Sequence, residues 1–401
     1  MFQSDRRQFL EVAACAGLGT MVGRWLPGEE TVPRLNPASP DKWAKKGVVL
    51  APPTEPEGCR VQNFTCPAEP LERGRWRIWY SMSGRGVPFN VGYAEGVPGE
   101  PLQRYVAVLN GGRPLDAPFS IGNLPSDWRP VQVVHIALPS NRHRIYFWAH
   151  GPHVVRYLCA ESNDGRRYSV IDPWRPCLYH PFDRAVDGKQ AAAAGLNRLA
   201  HRKSQRPAGE PAAQARLISN DATNVYRLDD GTYEMYSVAL MEAAKGSPGY
   251  VAHDNAAGWI RVIDRYVSED GLNWTDRRRI LVPDENDPAD QQFYYLSVTH
   301  TPRGRVGLLG HYRVEAQTMD LEWCFSSDGI RWERPQRGPW LARGKPGEPD
   351  SYGIYAPHAM VFHSQKWHLF YTGVNSAHNQ KHSYGKPASV VMHAVGDSLW
   401  T

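Results

Sequence analysis

The sequence predicts an all-β chain folded as a five-bladed β-propeller. Three observations predict it: strand and turn formers are both abundant, helical periodicity is nearly absent, and one hairpin-like unit recurs five times. Aromatic residues make up 11% of the 401, and 36 Gly and 33 Pro supply tight turns. At 41% hydrophobic and 22% charged, the chain can bury a large core, which excludes disorder and a disulfide-stapled miniprotein. No run of ~18 apolar residues occurs, so no stable membrane span is expected. The net charge of +5 is spread along the chain without a nucleic-acid-binding signature, and no nucleic acid partner is expected.

Taken in chain order, residues 1–30 carry Arg6-Arg7, then Phe9-Leu10 and a weakly apolar stretch from Val12 to Val22, the pattern of a twin-arginine export signal with its linker. The expected location is therefore periplasmic or extracellular. Residues 31–54 read as an N-terminal extension and 55–401 as the propeller. Five cysteines beyond Cys15 have irregular spacing and no C-x-x-C pair, so buried free thiols are expected ahead of a zinc site.

The repeat carries the fold. Segments beginning at Gly74, Asn141, Gly231, Gly304 and Gln365 each read as a turn followed by a strand, and they align Ile78, Ile145, Met235, Leu308 and Leu369 at one position. A strand-like run precedes each, starting at Val61, Val131, Ala222, Phe293 and Tyr355, which makes five hairpins. Three stretches share S-x-D-G-x-x-W/Y: Ser162 to Tyr168, Ser268 to Trp274 and Ser326 to Trp332. Their chemistry is structural. Ser and Asp accept turn amides, Gly supplies the positive φ, and the aromatic packs the turn down. Five hairpin pairs at this spacing imply five four-stranded blades around an axis. A basic, Ala-rich insert at about 183–215 interrupts the second and third units.

These turns, with Asp221 to Tyr226 on a strand, Asp320-Leu321-Glu322-Trp323 and Phe370-Tyr371-Thr372-Gly373, resemble the five-bladed propeller glycoside hydrolases of the family 32 and family 43 type. The resemblance covers about residues 55 to 398. It implies hydrolysis of a glycosidic bond in a carbohydrate substrate. The invertase-type N-D-P-N-G, R-D-P and E-C motifs are absent, so a fructan substrate is not implied.

The register locates a mouth without reference to any family. The start of a blade's innermost strand and the end of its second strand lie at the same end of the molecule. Fourteen residues before the aligned position are Val131, Asp221, Tyr294 and Tyr355; eleven before are Val134, Asn224, Ser297 and His358; seven after are Arg85, Pro152, Glu242, Glu315 and Ser376. Asp221, Glu242 and Glu315 are thus expected at one mouth, where paired carboxylates perform glycoside hydrolysis. Asp221 is the expected nucleophile or base. Glu315 is the preferred acid, with His311 and Arg313 beside it to modulate its charge, and Glu242 orients the pair or exchanges roles with Glu315. Asn224, Tyr294, Tyr295, Tyr355, His358 and His378 are the expected substrate contacts. A non-catalytic, lectin-like carbohydrate-binding propeller is the alternative.

No cofactor is expected and no transition-metal site, because His363 and His368 flank a hairpin turn away from His358. A structural cation in the channel, known in related propellers, stays open.

Overall fold

The computed structural model describes residues 35–53, 59–84, 87–109, 117–151, 154–179, 217–246, 249–378 and 389–401. The expected export signal and the Ala-rich insert lie outside them, as do Arg85 and Pro152. Strands dominate: β1 (Trp43–Leu50), β2 (Cys59–Gln62), β3 (Ala68–Pro70), β4 (Trp76–Gly84), β5 (Val87–Gly96), β6 (Gln103–Val106), β7 (Val108–Leu109), β8 (Ser120–Gly122), β9 (Arg129–Leu138), β10 (Arg142–Gly151), β11 (Val154–Ser162), β12 (Arg167–Val170) and β13 (Leu178–Tyr179), then β14 (Leu217–Arg227), β15 (Tyr233–Glu242), β16 (Trp259–Ser268), β17 (Thr275–Leu281), β18 (Gln291–Thr301), β19 (Gly304–Arg313), β20 (Thr318–Ser326), β21 (Gly353–Tyr355), β22 (Val361–His363), β23 (Lys366–Val374) and β24 (Ser389–Gly396). No helix among the described residues is long and apolar enough to cross a membrane.

The strands form four sheets that contain five antiparallel meanders, the fourth and fifth sharing one sheet through a short parallel pairing of β20 with β21. The first runs β2/β3–β4–β5–β6, the second β9–β10–β11 with β12 and β13, the third β14–β15–β16–β17, the fourth β18–β19–β20, and the fifth β21/β22–β23–β24. Each second strand falls where the aligned repeat places it.

The fifth meander is completed from the other end of the sequence. Strand β1 pairs antiparallel with β24, Trp43 opposite Gly396 and Leu50 opposite Val391. Residues read from the sequence as an extension thus supply an edge strand. Their partner lies about 340 positions away, so no local periodicity could reveal the pairing.

Hydrogen bonds from buried polar side chains join each meander to the next. Ser81 Oγ accepts from the Gln132 amide (2.8 Å), Trp148 Nε1 donates to Thr223 Oγ1 (3.2 Å), and Asn224 Nδ2 donates to the Leu296 carbonyl (2.9 Å). Ser297 Oγ donates to the His358 carbonyl (2.9 Å), and Asn63 Nδ2 donates to the Phe370 carbonyl (2.7 Å), which joins the fifth meander to the first. Aromatic clusters fill the gaps between meanders, with Trp79, Phe119 and Phe147 in one and Trp148, Tyr157 and Tyr266 in another, all almost fully buried. Each such ring removes ~150–250 Å² from water, at about 25 cal/mol/Å². Cys66, Cys159, Cys177 and Cys324 are buried free thiols, as the sequence predicts. Burial pushes Cys66 and Cys177 up to about 12, which keeps them protonated and unreactive.

The three Asp-Gly turns have the expected chemistry and an additional role. In each, Asp Oδ1 accepts two successive backbone amides and Ser Oγ accepts the glycine amide. The second turn also locks two meanders together, because Arg144 Nη1 donates to the Asp270 carbonyl and Tyr146 OH donates to the Gly271 carbonyl. Gly271 has φ +74°, and a Cβ there would lie 2.5 Å from the Tyr146 hydroxyl. We expect Gly271→Ala to destabilise the fold by roughly 2–4 kcal/mol, combining left-handed strain with a packed clash. Gly246→Ala, with φ +84° but nothing within 4 Å of the new methyl, should cost only the strain, about 1–2 kcal/mol. Urea denaturation of the two variants checks this, and equal losses would deny the turn its locking role.

Candidate functional site

Every inner strand breaks its register within one residue of the same level. In β9, Gln132 and Val133 oppose Phe147 alone; in β14, residues 219–222 oppose Val238 alone; in β18, Tyr294 and Tyr295 oppose Gly310 alone. In the first and fifth meanders the inner strand divides in two, β2 from β3 and β21 from β22, each half pairing with the same second strand. A bulge re-aims side chains that regular pleating would turn into the sheet. Gln132 adopts φ +58°, a left-handed conformation uncommon for a side-chain-bearing residue, and its amide is anchored by Ser81.

The bulges open onto a cavity of about 190 Å³, lined by Arg60, Gln62, Phe64, Gln132, Tyr294, Tyr355, Val374, Ser376, His378 and Ser389. These come from the first, second, fourth and fifth meanders. The third meander contributes no residue to the lining; Asp221 falls within the β14 register break between Ile218 and Thr223, and its side chain is outside the described residues.

The polar centre is a Tyr–His–Tyr bridge. His378 Nδ1 lies 2.8 Å from Tyr355 OH and its Nε2 lies 2.8 Å from Tyr294 OH. Burial, reinforced by the Arg261 charge, pushes this imidazole down to about 3, so it is neutral at physiological pH. A neutral ring has one N–H and one lone pair. One tyrosine therefore donates to it, while the other accepts its N–H and directs its own hydroxyl proton elsewhere.

Behind the bridge lies an ion pair the sequence did not reveal. Arg261, 1% exposed, donates to Asp254 Oδ2 (3.0 Å) and Gln292 Oε1 (2.7 Å), and its guanidinium sits 4.7 Å from the Tyr294 ring centroid. Tyr312 OH donates to Asp254 Oδ1 (2.9 Å). Burial opposes ionisation of Asp254, but the Arg261 charge and these hydrogen bonds hold its carboxyl below the ordinary value. Arg261 lies on the third strand of its meander and Asp254 in the loop before it, beyond the two-strand repeat from which the mouth was read. Gln62 and Ser376 occupy mouth positions that the register does indicate.

Of the expected contacts, Tyr294, Tyr355 and His378 meet in the cavity. Others do not. His358 faces the opposite end: the inner strand of the fifth meander is interrupted between Tyr355 and Val361, and its Nε2 donates to the Val225 carbonyl (2.7 Å). Tyr295, 1% exposed, donates to the Ile354 carbonyl (2.8 Å), because adjacent residues of one bulge point to different sides. Asn224 is buried between meanders. Arg313 is held by Asp290, with Nε 2.8 Å from Oδ1. His311 is 4% exposed and neither ring nitrogen has a hydrogen-bond partner among the described residues; burial, with Arg334 and Arg313 nearby, pushes it down to about 4. Glu315 is exposed in the turn after β19, its amide donating to Asp290 Oδ2, and Glu242 ends β15 opposite Trp259. None of the ten residues lining the cavity carries a carboxylate.

No protein-family model matches this sequence, and a search of curated proteins returns no match. Solved structures do resemble it. One described as a glycoside hydrolase superposes with a TM-score of 0.56 at 11% identity, covering 91% of this chain and 93% of its own. A glycosyl hydrolase from Bacteroides ovatus gives 0.50 at 14%, covering 90% and 96%. A structure titled as belonging to the GH130 family of mannoside phosphorylases, containing glycoside hydrolases that target β-1,2 mannosidic linkages in Candida mannan, gives 0.51 at 14%, covering 90% and 92%. At these identities the likeness shows a shared fold.

The buried imidazoles set a pH dependence. His378 is pushed down to about 3, and His311, His358 and His393 to about 4, by burial first in each case. Between these values and the ordinary 6.5 the unfolded chain binds protons that the folded chain does not, so stability is complete above pH ~6.5 and falls toward pH ~4. We expect urea midpoints to drop between pH 7.5 and pH 5 by the equivalent of at most ~2 kcal/mol per histidine. A midpoint constant over that range would contradict the buried, neutral state of these rings.

Proposed function

We propose that this protein is a glycan-acting enzyme, a glycoside hydrolase, whose five meanders are the blades of a five-bladed propeller with its substrate pocket at the bulged ends of the inner strands. The single observation that carries the reading is the common level of the five register breaks, which brings Phe64, Gln132, Tyr294 and Tyr355 to one cavity, with Asp221 within the β14 break. The fold shared with glycoside hydrolases and phosphorylases supports a carbohydrate substrate. Tyrosine rings and hydroxyls, two glutamines and Arg60 supply the stacking and hydrogen-bonding surface that sugar hydroxyls require.

In this reading Asp221 acts as nucleophile or base, on a backbone already re-aimed by the bulge. The acid is Glu242, the last residue of β15, or Glu315, just after β19, from the second strands of neighbouring blades. Arg261 holds Asp254 ionised, and burial, with the Arg261 charge added, holds His378 neutral, so the tyrosine hydroxyls keep a fixed donor and acceptor pattern toward the sugar.

The alternative reading is a carbohydrate-binding propeller without catalysis. Both are tested by assaying release from a panel of aryl furanosides and pyranosides. The hydrolase reading expects wild-type turnover and a loss of ~10³-fold or more in Asp221→Asn with binding retained. Equal turnover by the two proteins would remove Asp221 from the mechanism, and titratable oligosaccharide binding with no product over days would favour the lectin.

A further inference from the structure

The opposite end of the inner strands carries a second, larger cavity, of about 590 Å³, within the range of small-molecule sites. Its wall combines His135, Tyr226, Arg227, Asp229, His300 and His358 from the second to fifth meanders. We infer that this cavity is a second ligand site, distinct from the mouth, that takes a neutral, hydroxyl-rich molecule such as a sugar residue.

The aromatic part of the wall is rigid. The His358 ring stacks on Tyr226 with centroids 4.3 Å apart and planes at 17°, and the His300 ring lies 5.1 Å from the same tyrosine. Tyr226 is fixed in turn, its hydroxyl donating to the His358 carbonyl (2.6 Å) and accepting the Val298 amide (2.7 Å).

The ligand class follows from the polar groups that still lack partners. His358 gives its Nε2–H to the Val225 carbonyl, so Nδ1 carries a lone pair, and burial keeps the ring neutral. His300 donates Nε2–H to Glu234 Oε1 (2.6 Å). The side chains of Arg227 and Asp229 form no hydrogen bond or ion pair among the described residues, although the Arg227 charge favours the ionised form of Asp230. The cavity therefore offers guanidinium donors together with two carboxylates and the His358 lone pair, and a hydroxyl, being both donor and acceptor, satisfies both kinds. An anion would meet the Asp229 and Asp230 carboxylates and that lone pair. The second arginine of the wall, Arg305, is already committed to Glu234 (2.8 Å), as is Arg265 (2.9 Å), so the site has little uncompensated positive charge.

The inference is independent of the hydrolase reading, and its test keeps the two ends apart. The full chain is titrated calorimetrically with the methyl pyranosides of glucose, galactose and mannose, and separately with inorganic phosphate. The titrations are repeated on the double variant Arg227→Gln/Asp229→Asn, whose side chains form no hydrogen bond or ion pair among the described residues, and on Gln132→Ala at the mouth. We expect at least one glycoside to bind wild type and Gln132→Ala with a component that weakens at least tenfold in the double variant, while phosphate shows no such component. Crystals soaked in that glycoside should hold it between Arg227 and His358. Glycoside binding unchanged in the double variant, no glycoside binding at all, or a phosphate signal that alone disappears in the double variant would each overturn the assignment.

Discussion

Regular β pairing cannot continue through the centre of this molecule. Five inner strands, each with side chains alternating between its two faces, approach one another closely, and each breaks register within one residue of the same height. The break is the constraint from which the rest follows. It frees backbone groups that must find new partners, and it turns side chains out of the sheets toward a common space. The new partners are found across the gaps: Ser81 takes the amide of Gln132, and Asn63 takes the Phe370 carbonyl. The same departure from regular pairing that forms the cavity also ties adjacent meanders together.

This coupling makes the centre polar and buried, which is costly unless every group is satisfied. The fold meets much of that demand with neutral groups, Asn63, Thr223, Asn224, Ser297 and Thr372, and places buried charge in ion pairs such as Arg261 with Asp254 and Arg334 with Asp287 and Glu322. Arg261 connects that framework to chemistry. Its charge is balanced by Asp254, its face lies against Tyr294, and it reinforces the burial that keeps His378 neutral in the Tyr–His–Tyr bridge.

The five hairpins and the three Asp-Gly turns were legible in the sequence because both are local. A strand alternates within a few residues, and the Ser-x-Asp-Gly pattern closes its own hydrogen bonds. Tyr294, Tyr355 and His378 were legible because register carries position along a hairpin. What register cannot carry is orientation once a bulge intervenes. Tyr294 and Tyr295 are neighbours in sequence, yet one faces the cavity and the other the Ile354 carbonyl. His358 sits the expected number of residues from its aligned leucine, but the interruption after Tyr355 delivers it to the other end. The β1–β24 closure and the Asp254–Arg261 pair were hidden for a different reason: each depends on contacts outside the repeated two-strand unit.

The central claim is that the shared register break assembles a glycan site around Asp221. The most direct test is a crystal structure of Asp221→Asn with a bound oligosaccharide. The account predicts a sugar ring against Tyr294, Tyr355 and Gln132, with residue 221 and the carboxyl of Glu242 or Glu315 within ~10 Å of each other across one glycosidic bond. Carboxyl positions separated well beyond that distance, or a sugar bound away from the bulges, would contradict it.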